Sequence, residues 1–127
     1  MSKRVLVVDD DPRLVRVVAM YLGLEGFEVV TAIDAEGGLA AIERDSPDLI
    51  ILDIMMGGLD GIEACSRIRK NPRTAHLPVI MFSAVSSEEE VESARLAGAN
   101  HLITKPFNLT GLGAVVRSCI EGTPLAV

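Results

Sequence analysis

The stretch that decides the fold reads Val5-Leu6-Val7-Val8-Asp9-Asp10-Asp11-Pro12. Its unbroken apolar run is typical of a strand that is buried on both faces of a parallel sheet. Asp11 followed by Pro12 predicts that a helix begins at once, with Asp11 as its N-cap and proline in its first turn. A buried strand that leads directly into a helix indicates an α/β fold.

The same pattern continues along the chain. Short apolar runs alternate with segments whose apolar residues recur at helical spacing, and each run predicts a buried strand. The predicted strands are Val5–Asp9, Glu28–Ala32, Leu49–Asp53, Val79–Ser83 and His101–Thr104. Regular alternation means parallel strands joined by right-handed crossovers, with helices on both faces. Five strands favour a flavodoxin-like, doubly wound parallel sheet of order 2-1-3-4-5, with five helices in three layers.

Bulk properties narrow the class of protein further. The chain has 127 residues, 49% of them hydrophobic, which suits one domain; we expect it to span residues 1–122, with a loose tail at 123–127. A formal net charge of −6 argues against binding nucleic acid through a basic surface. Two cysteines and an N-terminal apolar run too short for a signal peptide or a membrane span predict a cytoplasmic protein.

Polar side chains follow four of the five predicted strands. The first strand ends at Asp9 and Asp10, the third at Asp53 and the fourth at Ser83, while the fifth runs into Lys105. In doubly wound sheets, ligands bind beyond the carboxyl ends of the strands, near the point where the strand order reverses. Strands one and three flank that point, so these side chains are expected to form one site.

The charges of this predicted site indicate its chemistry. Two unit charges ~4 Å apart repel by ~4 kcal/mol at an effective dielectric constant of ~20, so three clustered carboxylates require compensation. A divalent cation together with the Lys105 ammonium would supply it, and oxygen ligands alone suit Mg²⁺. A carboxylate, a hard cation, a lysine and a hydroxyl at one crevice predict phosphoryl transfer to the carboxylate.

Over nearly its whole length the sequence resembles the receiver domains of response regulators in two-component signal transduction, of the chemotaxis-regulator type. A series of motifs in order carries the resemblance. These motifs are Val5–Pro12, Pro47–Asp53, Leu59-Asp60-Gly61, Pro78–Ala84, Gly98-Ala99 and Lys105-Pro106-Phe107.

The resemblance implies a role for each acidic residue of the site. Asp53 would be the phosphoacceptor. Asp10 would bind Mg²⁺ directly, and Asp9 would hold the ion largely through water. Mn²⁺ can substitute for Mg²⁺. Asp53 and the backbone carbonyl of Met55 would complete the metal ligands contributed by the protein.

The resemblance also implies how the phosphoryl group is bound and read. Ser83, Ala84 and Lys105 would contact it, with Ser83 moving to donate a hydrogen bond to it. The Lys105–Pro106 peptide bond is expected to be cis. Leu102 stands where the family often has an aromatic residue that turns inward when the hydroxyl residue moves, so the usual aromatic switch is missing.

Partners follow from the same resemblance. The phosphoryl donor would be a histidine kinase or a histidine phosphotransfer protein. The chain would catalyse only its own phosphorylation and dephosphorylation, and would act as a monomer or a weak phosphorylation-dependent dimer, without direct contact with nucleic acid or membrane. The sequence leaves open whether it acts alone on a downstream effector or is the input domain of a longer regulator with a fused output domain.

Two alternative functions compete with this interpretation. A degenerate receiver would bind partners without phosphorylation, and its mark would be a missing acidic, lysine or acceptor residue. Asp9 and Asp11 also form the Asp-x-Asp pattern of haloacid-dehalogenase-like phosphohydrolases. That family requires threonine or valine two residues after the second aspartate, where this chain has Arg13.

Overall fold

The computed structural model describes residues 2–56, 60–84 and 87–122, and within these ranges five strands alternate with five helices. The strands are β1 (Arg4–Val8), β2 (Glu28–Ala32), β3 (Leu49–Asp53), β4 (Val79–Ser83) and β5 (His101–Thr104). The helices are α1 (Pro12–Leu24), α2 (Ala35–Asp45), α3 (Gly61–Lys70), α4 (Glu88–Ala97) and α5 (Leu109–Glu121). The predicted tail at 123–127 lies outside the described residues.

All five strands are parallel and their order is β2-β1-β3-β4-β5, which confirms the predicted doubly wound sheet. Every residue of β3 and β4 is buried, as their continuous apolar sequences require at the centre of a sheet. One apolar core lies between the sheet and α2, α3 and α4, and the other lies between the sheet and α1 and α5. The molecule therefore has three layers.

The first strand differs from its predicted bounds by one residue at each end. Arg4 joins β1 because it pairs with Glu28 and its amide donates to the Asp48 carboxylate over 2.8 Å. Asp9 lies just beyond β1, and its carboxylate accepts a hydrogen bond from the amide of Asp11, two residues further along the chain and 3.0 Å away. The turn that ends the strand thus fixes the direction of the first acidic side chain.

Helix termini follow the sequence signals closely. Asp11 caps α1 by accepting from the amides of Arg13 and Leu14, and Asn108 caps α5 in the same way. Ser87 caps α4 by accepting from the Glu90 amide. No helix in the described ranges is long and apolar enough to cross a bilayer.

Candidate functional site at the carboxyl edge of the sheet

Three aspartates meet where β1 and β3 end. Carboxylate oxygens of Asp9, Asp10 and Asp53 lie within 4.8 Å of one another. Asp9 is fully buried and Asp53 is 3% exposed, whereas Asp10 is exposed to solvent. Neighbouring parallel strands place Asp9 and Asp53 side by side, as the reversal of strand order predicts.

Lys105 brings a positive charge to the two buried carboxylates. Its Nζ lies 3.0 Å from Asp9 Oδ2 and 3.4 Å from Asp53 Oδ1. The backbone holds the lysine in place, because its amide donates to the Ser83 carbonyl over 2.7 Å. The peptide bond between Lys105 and Pro106 is cis. The ammonium therefore links the ends of β1 and β3 from the loop after β5.

The polar groups of this cluster are incompletely satisfied. Asp9 Oδ2 is buried and, within the described part of the chain, has the Lys105 ammonium nearby but no hydrogen bond of good geometry. Three carboxylates and one ammonium also leave two negative charges uncompensated. A hard divalent cation is bound by oxygen ligands that carry negative charge, and this cluster offers them in excess. These residues could therefore hold Mg²⁺.

The electrostatics of the cluster are strong enough to shift protonation. Burial, followed by the charge of Asp9, raises the pKa of Asp53 from 3.8 to about 6, although Lys105 and the Met55 backbone amide oppose the shift. Burial would lower the pKa of Lys105, but contact with Asp9 and the charge of Asp53 outweigh it, and the pKa is raised. At neutral pH the site therefore holds an ionised Asp53 and a charged Lys105, with the carboxylate in an unfavourable environment.

Gly61, the last residue of the Leu59-Asp60-Gly61 motif, packs directly on the backbone of Asp53. A Cβ atom at position 61 would lie 2.3 Å from the Asp53 carbonyl oxygen, and the Gly61 amide donates to the Ile54 carbonyl over 3.0 Å. Asp60 caps α3 by accepting from the Glu63 amide, while Leu59 lies outside the described residues. Glycine at 61 therefore lets α3 begin against the end of β3 without displacing Asp53.

Ser83 closes the site from β4. It is fully buried, and its backbone carbonyl holds the Lys105 amide. Its hydroxyl donates a hydrogen bond to Oε1 of Glu90, in the first turn of α4. Sequence reasoning missed Glu90 as a residue of the site. The available signal was an acidic residue three positions after Ser87, a spacing that is typical of a local capping box.

The remaining predicted site residues lie around this cluster. Met55 is 68% exposed, and its backbone lies close enough to the Asp53 carboxylate to oppose the rise in the pKa of Asp53. Ala84 follows β4 and is exposed. Leu102, at the position of the missing aromatic, is half-buried and packs on the core beneath α3 and α4.

Comparison with known proteins identifies the family. Residues 5–117 match the family model of the response regulator receiver domain, so the chain belongs to that family. Together with the fold, this match makes the chain a receiver domain of two-component signal transduction.

Individual relatives agree with the family assignment. The chain is 41% identical to the response regulator PleD of Caulobacter vibrioides over 93% of its length, and 35% identical to the alkaline phosphatase synthesis regulator PhoP of Bacillus subtilis over 99%. It spans only 26% and 52% of the lengths of those two proteins. A solved putative response regulator from Chloroflexus aurantiacus is similar over 95% of this chain and 99% of that one, at 31% identity and a TM-score of 0.91.

Proposed function

We propose that this receiver domain accepts a phosphoryl group on Asp53 and thereby switches its binding to a downstream partner. The observation that carries the proposal is the convergence of three carboxylates within 4.8 Å, two of them contacted by one lysine, at the reversal point of the sheet. Of the three, Asp53 is buried and its pKa is raised to about 6, so its carboxylate is ionised yet poorly stabilised at neutral pH. Such a carboxylate is well suited to act as a nucleophile.

The donor that fits this chemistry is a phosphohistidine, carried by a histidine kinase or a histidine phosphotransfer protein. An Asp53 carboxylate oxygen attacks phosphorus, and an acyl phosphate bond forms as the phosphorus–nitrogen bond breaks. The bonding electrons return to the imidazole of the donor. Lys105 would contact an oxygen of the transferred group, a role supported by its position 3.4 Å from Asp53 Oδ1, and Ser83 at the end of β4 would donate a hydrogen bond to another.

Mg²⁺ is the proposed cofactor, with Mn²⁺ as a substitute. Asp9, Asp10 and Asp53 would hold it, together with the Met55 backbone carbonyl. When bound, the ion neutralises charge on the phosphoryl oxygens. Support comes from the buried Asp9 oxygen and the two uncompensated negative charges described above.

The proposed setting is a cytoplasmic signalling pathway. PleD and PhoP bear the names of a response regulator and a transcriptional regulatory protein, and this chain matches only part of each. We propose that the domain, over residues 1–122, transmits the phosphorylation state of Asp53 either to a separate effector or to a fused output domain.

Incubation with acetyl phosphate and Mg²⁺ tests the proposal. Intact-mass measurement should show one added phosphoryl group that is labile to base, and Asp53→Asn should remove the labelling. Asp60→Asn is the matched control, because asparagine preserves the cap of α3 while removing one nearby exposed carboxylate. Equal labelling of wild type and Asp53→Asn would reject Asp53 as the acceptor. Labelling that moves to Asp9, with turnover of a small phosphate ester, would favour the phosphohydrolase alternative.

A further inference from the structure

The hydrogen bond between Ser83 and Glu90 joins the candidate phosphorylation site to α4. Alternation along β4 directs Ser83 to the same face of the sheet as Met81, which belongs to the core beneath α2, α3 and α4. Glu90 is half-buried in the first turn of α4, and its Oε1 accepts a hydrogen bond from the Ser83 hydroxyl. A buried serine at the end of the central sheet is thus bonded to a neighbouring helix.

Glu90 is directed toward Ser83 by the start of its own helix. The Ser87 side chain accepts a hydrogen bond from the Glu90 amide over 3.2 Å, which fixes the first turn of α4. Carboxylates are also stabilised at a helix N-terminus by the helix dipole. Position 90 therefore presents a carboxylate acceptor to Ser83 from a capped turn.

A serine hydroxyl carries a single proton that it can donate. While Glu90 accepts that proton, a phosphoryl oxygen on Asp53 cannot. The two acceptors are therefore mutually exclusive, and the affinity of Glu90 for the hydroxyl opposes any state in which Ser83 contacts a phosphoryl group.

We propose that Glu90 is a positioning residue that holds the Ser83 hydroxyl toward α4 in the unmodified protein and releases it when Asp53 is phosphorylated. The inference rests on the proposed function of Asp53. It assigns to Glu90 the role of a competing acceptor, which sets the equilibrium between a state with Ser83 bonded to Glu90 and a state with Ser83 bonded to the phosphoryl group. Release frees the first turn of α4 from the end of β4, so the phosphorylation state changes the attachment of a helix.

The surroundings allow this exchange. Glu90 lines an open groove of about 290 Å³ between α3 and α4, and Ile54 and Ile62 also line this groove. The released side chain can move into that groove toward solvent. Since Leu102 replaces the aromatic residue that often accompanies the movement of the hydroxyl, the Glu90 contact provides a connection from Ser83 to α4 that needs no aromatic ring.

Binding of beryllofluoride with Mg²⁺ tests the inference, because this anion occupies the place of a phosphoryl group on a carboxylate. Glu90→Ala should bind it about tenfold more tightly than wild type, as expected when a charge-assisted hydrogen bond no longer competes. Glu90→Gln keeps an oxygen acceptor without the charge and should show a smaller gain. Glu88→Ala, an exposed acid in the same turn, should match wild type.

A double-mutant cycle separates competition for Ser83 from a general effect on α4. In a Ser83→Ala background, Glu90→Ala should give no further gain in affinity. An equal gain in both backgrounds, or equal gains from Glu88→Ala and Glu90→Ala, would overturn the role of Glu90. If Glu90→Ala does not fold, the comparison of Glu90→Gln with wild type decides, and no gain there rejects the inference.

The proposed function can fail separately in the same experiment. If wild type and Asp53→Asn bind beryllofluoride equally, the assignment of Asp53 is wrong, and the role of Glu90 falls with it. If only wild type binds and the Glu90 variants behave like it, Asp53 stands and the Glu90 inference alone is rejected.

Discussion

Each end of the central sheet holds one partly buried positive charge, and the two charges differ in how completely their surroundings are hydrogen-bonded. At the amino ends of β4 and β5, the Arg69 guanidinium donates hydrogen bonds to three backbone carbonyls and one side-chain amide, at 2.6–3.2 Å. At the carboxyl ends, Lys105 contacts two buried carboxylates, one of which keeps an oxygen without a well-formed hydrogen bond. The Arg69 guanidinium is therefore well satisfied, whereas the acidic cluster around Lys105 is not.

This difference shows how a small domain separates stability from reactivity. The acceptors of Arg69 are the carbonyls of Ala75, Leu77 and Gly98 and the side chain of Asn100, so one cation ties α3 to the loops that enter β4 and β5. The carboxyl edge instead concentrates negative charge that a cation and a phosphoryl group can use. The acidic cluster thus concentrates the reactive groups at the carboxyl edge, and the contacts of Arg69 support the fold at the opposite edge.

Removing the satisfied cation should produce the largest change in stability. Arg69→Ala leaves three carbonyls without their donor and is expected to lower the free energy of unfolding by about 3 kcal/mol. Urea denaturation measures it. Arg67→Ala is the control, because its exposed pair with Glu63 at 3.5 Å should contribute less than about 0.5 kcal/mol. Equal losses from both variants would contradict the structural role of Arg69, and labelling by acetyl phosphate should survive in folded Arg69→Ala.

Neutralising the acceptor should change stability in the opposite direction. The pKa of Asp53 is raised from 3.8 to about 6, so the folded state favours the protonated form and loses stability as pH rises through that range. In metal-free protein, Asp53→Asn should therefore increase the free energy of unfolding by about 1–3 kcal/mol at pH 7, and by almost nothing at pH 4. Urea denaturation at both pH values, with Asp60→Asn as control, measures it. A destabilised Asp53→Asn at pH 7 would contradict the electrostatic description.

Two glycines of α5 should give the smallest effects. Nothing lies within 4 Å of a Cβ built at Gly111, so Gly111→Ala should stabilise the protein by about 0.5 kcal/mol through helix propensity. A Cβ at Gly113 would lie 2.9 Å from the Tyr21 hydroxyl, so Gly113→Ala should gain less or lose stability. Urea denaturation measures both changes. Equal stabilisation by the two variants would contradict a steric conflict between position 113 and Tyr21 of α1.

Most of the fold could be predicted from the sequence, because parallel strands buried on both faces have continuous apolar sequences. β2, β3, β4 and β5 have their predicted bounds, and the cap at Asp11 starts α1 where expected. The end of α2 could not be predicted in this way. That helix ends at Asp45, and its C-cap Ser46 adopts a left-handed backbone with φ 47°. Glycine usually marks such a position in a sequence, and serine does not.

The candidate site was predictable in its residues but not in its contacts. The strand ends identified Asp9, Asp53 and Lys105, because topology alone brings them to one edge. Sequence spacing could not show that Glu90 bonds to Ser83, since its position after a cap residue indicates a local role in α4. Sequence spacing also could not show that position 61 must be glycine. That requirement comes from the contact of Gly61 with the Asp53 backbone, and this contact depends on how α3 packs.

Locating the added phosphoryl group tests the central claim most directly. After labelling with acetyl phosphate and Mg²⁺, borohydride reduction converts an acyl phosphate of aspartate to homoserine, which peptide mass spectrometry can place in the sequence. We predict homoserine at position 53 in wild type, and at neither Asp9 nor Asp10, with none in unlabelled protein. Homoserine at another aspartate, or protein that stays unlabelled, would contradict the assignment of Asp53 as the phosphoacceptor.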